Sequence, residues 1–195
     1  MKTKNKKISL IFILFIVLAF TFFIILSPYK SDEIENYKLI KETVIINAPI
    51  SKVHKYLGNS NNASNWSSFI DHITVLNSKF YKDGDKGSIR RCYQNADEKG
   101  TQWDELITIN ATNKRQLIIY NLKNFALTAE NLATEQVYVA LNNKKCSLTL
   151  TVFYKEKDPT LLNQLKLYLA SYRISPILKK NLKNIKDIIE DESFL

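Results

Sequence analysis

Six segments rich in β-branched and aromatic residues follow one another between His72 and Lys155, and the chain then ends in a long stretch of helical periodicity. This succession constrains the fold more than any other feature. The segments are His72–Ser78, Gly87–Asn95, Thr101–Ala111, Arg115–Lys123, Asn131–Leu141 and Lys145–Lys155. Between them lie short breaks such as Lys82-Asp83-Gly84-Asp85, Thr112-Asn113-Lys114 and Asn142-Asn143-Lys144, mostly of hairpin length. Hairpin-linked strands pair antiparallel with their neighbours, and a long antiparallel meander twists and curls. The last strand alternates best. Cys146, Leu148, Leu150, Val152 and Tyr154 share one face, with Phe153 as the exception. In the third segment Trp103, Glu105, Ile107 and Ile109 fall together.

From Thr160 to Asp191 the stripe Leu161, Leu162, Leu165, Leu169 and Tyr172 continues through Leu178, Leu182, Ile185 and Ile189. Pro176 removes a backbone donor inside this region, which predicts a kink or break at Ser175-Pro176. Upstream, Tyr37–Ala48 reads as a further strand. Pro49 opens a helix in which Ile50, Val53 and Leu57 recur at helical spacing and which Gly58 closes; a second short helix covers Asn62–Phe69. The fold class expected is therefore α+β: a curved antiparallel sheet of about seven strands gripping a long C-terminal helix. One helix does not fill the concavity of so large a sheet, so a cavity is expected between them.

Ile8 to Leu26 carries no charge, Pro or Gly over 19 residues. Its helical length of about 28 Å comes close to a bilayer core of about 30 Å. Lys2, Lys4, Lys6 and Lys7 precede it. The expectation is a single-pass membrane helix with the N-terminus cytoplasmic and the domain extracytoplasmic. The organisation read from this is a basic N-terminus and anchor over residues 1–30, a linker over 31–36 and a domain over 37–192.

The net charge of +9 invites a nucleic-acid reading. Beyond Leu26, however, the 28 Lys/Arg are reduced by those four to 24, against 19 Asp/Glu, and no nucleic-acid motif is present. No nucleic-acid partner is expected. Cys92 and Cys146 are too few for a disulfide framework or zinc site, and His54 and His72 have no ligands at metal spacing. No metal and no cofactor are expected.

The stretch from Thr43 through Ile73, with Ile46-Asn47-Ala48-Pro49 leading into the first helix, Val53 on it and Trp66 on the second, resembles the START-like (SRPBCC) superfamily in its bacterial polyketide cyclase/dehydrase-type members. The segments DGDKGSIRRCY and TQWDELITI and the terminal helix follow in the matching order. The resemblance implies a helix-grip (Bet v 1-type) fold around a pocket for a lipid or other hydrophobic small molecule, with no shared catalytic motif to carry over. A few members are aromatases or cyclases.

Candidate ligand-binding residues are Arg91, Tyr93, Trp103, Glu105, Tyr120, Tyr138, Tyr168 and Tyr172. A tyrosine offers an apolar body and one hydroxyl, and Trp103 an aromatic wall. Glu105 is the one candidate acid/base. Its alternative role is to pair with an arginine of the neighbouring strand, since a buried carboxylate needs a partner. Arg90 and Arg91 point to opposite faces, and the sequence leaves open which one turns inward. The reading taken is a membrane-tethered binding domain. A cyclase, aromatase or dehydratase is the second reading, and a membrane-anchored protein-interaction domain the third.

Overall fold

A computed structural model describes residues 2–32, 38–125, 132–154 and 160–191. Residues 33–36 of the expected linker, and the expected strand ends at Tyr37, Asn131 and Lys155, lie outside them. The elements run α1 (Lys2–Ile25), β1 (Lys30–Ser31), β2 (Lys38–Ile46), α2 (Ile50–Gly58), a 3-10 turn (Ser60–Asn62), α3 (Ala63–Trp66), β3 (His72–Val75), β4 (Ile89–Tyr93), β5 (Gln102–Ala111), β6 (Lys114–Lys123), β7 (Leu132–Asn142), β8 (Lys145–Tyr154) and α4 (Leu161–Glu190). The strands form one eight-stranded antiparallel sheet in the order β1-β2-β8-β7-β6-β5-β4-β3. The strand added to the expected seven is β1, which pairs Lys30 with Leu39 and Ser31 with Lys38.

Two register shifts sharpen the curl of the sheet, one between Gln102 and Asp104 and one between Ile107 and Ile109. The second breaks the period-two row expected along β5. Ile107 is fully buried whereas Ile109 is only half-buried. The main core lies on the concave face, where Ile46, Leu148 and Leu150 meet Leu178, Leu182, Ile185 and Ile189 of α4 and Val53 and Leu57 of α2. Each such fully buried aliphatic side chain contributes about 1.5–3 kcal/mol. Phe153, out of phase with its strand, packs with Leu39 and Ala133, its partners on β2 and β7, in a small cluster of their own. Helix α4 runs through Pro176 as one element, so of the kink or break expected there the break does not occur.

The N-terminal expectation is corrected. Among the described residues no helix is long and apolar enough to cross a membrane. With that finding go the transmembrane anchor assigned to Ile8–Leu26 and the placement of the two chain ends on opposite sides of a membrane. At the C-terminal end of α1, apolar side chains pack on the domain. Phe23 stacks on Tyr172 with ring centroids 4.9 Å apart, and the Tyr172 hydroxyl donates to the Phe23 carbonyl at 2.7 Å. The Ser27 and Ser171 hydroxyls meet at 2.8 Å, and Tyr29 stands edge-on to Tyr168. Tyr29 thus belongs to the main core and Phe23 and Ile24 pack against it, while Ile11, Phe12, Phe15 and Phe22 remain exposed.

The turn after β3 braces the end of α2. Asp83 accepts from the Ser60 N–H and hydroxyl, both at 2.7 Å. Gly84 sits at φ 83°, and a Cβ there would lie 2.4 Å from the Gly58 carbonyl oxygen. Gly84→Ala is therefore expected to destabilise the domain by about 2 kcal/mol and lower Tm by about 5 °C, as read by thermal unfolding.

Candidate functional site

A cavity of about 130 Å³ lies between the concave sheet face, α4 and the α2–α3 segment. Its apolar wall includes Leu57, Ala63, Trp66, Leu117, Leu150 and Leu178, and its polar wall includes Ser60, Arg90, Glu105, Gln136 and Asn181. Thr134, Gln136 and Tyr138 alternate inward along β7. Glu135 therefore turns its carboxylate to the outer face, where Lys114 and Gln116 engage it.

Arg90 on β4 stands directly opposite Glu105 on β5. Residues opposite one another on paired strands share a face, so the inward carboxylate and the inward guanidinium meet. Arg90 Nη2 donates to Glu105 Oε2 at 2.9 Å, and Trp103 Nε1 donates to Oε1 at 3.0 Å. Both residues of the ion pair are largely buried, at 5% and 8% exposure. Arg90 Nη1 reaches the Ser60 hydroxyl at 3.4 Å, and its Nε has no partner among the described residues. Beneath the pair, burial pushes the Cys92 thiol well up, and the Glu105 charge adds to it. Cys92 and Cys146 are both buried and both free.

The eight residues singled out from the sequence separate into groups. Glu105 lines the cavity, and Trp103 steadies it from behind within a cluster with Cys92 and Ile119. Arg91, Tyr93 and Tyr120 lie on the opposite face of the sheet. There Arg91 forms a two-pronged pair with Asp104 at 2.7 and 2.9 Å, and Tyr93 stacks on His72. Burial pushes the Asp104 carboxyl up, but bonds from Arg91 and Asn121 outweigh it and hold the carboxyl below its ordinary value. Tyr138 is buried under α2, Tyr168 packs against Tyr29 and Lys38, and Tyr172 joins α4 to α1. None of these six lines the cavity. The inward arginine is Arg90, not Arg91, and the pairing register of β4 with β5 decides this.

Ser60, Gln136 and Asn181 were not singled out from the sequence, nor was Arg115. Arg115 is 1% exposed and has only neutral acceptors within bonding distance: Gln136 Oε1 at 3.1 Å, Asn110 Oδ1 at 3.3 Å, and the ring nitrogen Nε2 and carbonyl of His54, each at 3.3 Å. Burial pushes the Arg115 guanidinium down. Because arginine only donates, His54 Nε2 must accept here, so the ring is neutral. Burial, followed by the Arg115 charge, lowers the His54 pKa from its ordinary value.

No family model matches the sequence, and no curated protein matches it. Solved structures do match in fold. The Zhui aromatase/cyclase from Streptomyces sp. R1128 aligns over 78% of this chain and 93% of its own, at TM-score 0.57 and 12% identity. A START superfamily protein from Mycobacterium smegmatis aligns over 76% and 97%, at TM-score 0.55 and 14% identity. The XoxI protein from Bacillus cereus aligns over 80% and 97%, at TM-score 0.58 and 12% identity. The chain has the START-like helix-grip fold. At these identities the likeness is one of fold alone.

Two outcomes check this geometry. Arg90→Met leaves Glu105 buried without its cation and is expected to cost about 3 kcal/mol, whereas R90M/E105Q recovers most of that in urea unfolding. His54 has a lowered folded pKa, so the unfolded chain takes up its proton first as pH falls. Its contribution is present above about pH 6.5 and lost below it. Unfolding midpoints measured between pH 7.5 and 5 should therefore fall more steeply for the native protein than for His54→Gln.

Proposed function

We propose that this domain is a binding module that holds a small hydrophobic molecule between its curved sheet and α4. The observation that carries the reading is an internal cavity whose wall combines apolar side chains with a buried, internally paired arginine and carboxylate. Small-molecule sites take this form, with mostly apolar walls and a few polar groups that orient the ligand. A volume near 130 Å³ is comparable to an apolar cavity of about 150 Å³ that accepts benzene. The occupant proposed is therefore a one-ring molecule rather than a lipid or sterol.

A cyclase or aromatase role is less well supported. Some structures of this fold are aromatase/cyclases, yet Glu105, the one acid/base candidate, has one oxygen held by Arg90 and the other by Trp103. A carboxylate so engaged has each oxygen turned to a donor of the protein rather than to a substrate. An interaction-domain role would fit a filled interior, and this interior is hollow.

The test is thermal-shift screening of the purified protein against one-ring aromatic molecules, repeated with Leu150→Phe. Leu150 lines the cavity, and the larger ring is expected to fill it. Stabilising hits on the native protein that vanish in the variant support the reading. Hits that persist unchanged place binding elsewhere and reject it.

A further inference from the structure

The polar wall of the cavity is unbalanced in its hydrogen-bonding capacity. An amide side chain has one oxygen with two lone pairs and one nitrogen with two N–H groups. Gln136 Oε1 already accepts from the Tyr138 hydroxyl at 2.6 Å and from Arg115 Nη1 at 3.1 Å. Asn181 Oδ1 already accepts from the Ser68 N–H at 2.7 Å and the Ser68 hydroxyl at 2.9 Å. These orientations follow from the partners, because a guanidinium and a main-chain N–H can only donate. Both oxygens are thus full. Neither amide nitrogen has a hydrogen-bond partner among the described residues.

Arg90 adds to the surplus. Of its donors, one reaches Glu105 and one the Ser60 hydroxyl, and the rest have no partner among the described residues. Glu105 is the one charged acceptor on this wall, and each of its oxygens is turned to a donor of the protein. Its charge offsets that of Arg90, so these two charged groups, the only ones among the described residues whose side chains turn to the cavity, leave it neutral overall.

Resting on the cavity reading above, we infer that the ligand is a small neutral hydrogen-bond acceptor, a one-ring carbonyl compound whose oxygen takes N–H bonds from Gln136, Asn181 and Arg90. A hydrocarbon of the same shape leaves those donors unpaired in a buried site. A carboxylate brings an uncompensated charge next to Glu105. The neutral carbonyl alone satisfies both conditions.

Three probes of similar size separate the possibilities: acetophenone, ethylbenzene and benzoate, titrated into the full-length protein by isothermal calorimetry. Acetophenone is expected to bind about tenfold more tightly than either of the others. Two variants, Gln136→Glu and Asn181→Asp, keep the occupied oxygen and replace the donor nitrogen by an acceptor. Each is expected to reduce the advantage of acetophenone over ethylbenzene. Equal binding of acetophenone and ethylbenzene to the native protein overturns the inference and leaves the cavity reading standing. Tighter binding of benzoate overturns it in favour of an anion site. Failure of all three to bind rejects the cavity reading and the inference together. The native-protein series decides the matter even if a variant does not fold.

Discussion

The concave face of an eight-stranded sheet is too wide for a single helix to fill, and most of this molecule answers that geometric constraint. Helix α4 covers the face over Ile46, Leu148 and Leu150, with Leu182, Ile185 and Ile189 pressed fully into the sheet. Farther along the sheet that contact gives out, and the gap is bridged by the short α2–α3 segment. Asn181 and Asn184 of α4 fasten this segment by accepting from Ser68 and donating to the Trp66 carbonyl. The cavity lies where the aliphatic contact stops and the polar fastening begins. Protein interiors are ordinarily close-packed, and a hollow of this size follows from the curvature of the sheet and the bulges that produce it.

The hollow contains an ion pair whose geometry is strict. A lone guanidinium or carboxylate in this position would cost several kcal/mol of desolvation. Cross-strand register puts Arg90 and Glu105 side by side, and Trp103 occupies the remaining side of the carboxylate. On the outer face Arg91 and Asp104 repeat the same pairing one residue along. Two adjacent arginines thus meet two adjacent acids, one pair to each side of the sheet.

Much of the fold was legible in the sequence because the period-two and period-3.6 patterns are local. The strands of the meander, the Pro49-led helix and the terminal helix all lie within a few residues of their expected bounds. Local patterns did less well where tertiary contacts override them. Pro176 lies in an unbroken helix, β1 is a two-residue strand that exists only through its pairing with β2, and the bulge between Ile107 and Ile109 ends the alternation of β5. The apolar N-terminal run reads as a membrane helix from hydropathy alone, but hydropathy does not reveal that Phe23 and Ile24 pack against the domain.

By itself the sequence determined the α+β class, the order of elements and the inward face of β5, since each follows from residue periodicity along one stretch of chain. It also showed that Glu105, if buried, needs a partner, with an arginine of the neighbouring strand as one option. Only the tertiary structure decided that the cation is Arg90, that all five candidate tyrosines and Arg91 lie away from the cavity, and that Gln136 and Asn181 line it with their side-chain oxygens already occupied. Those outcomes depend on strand register and on which oxygen is already occupied by a residue up to 113 positions away. No local pattern encodes contacts of that separation.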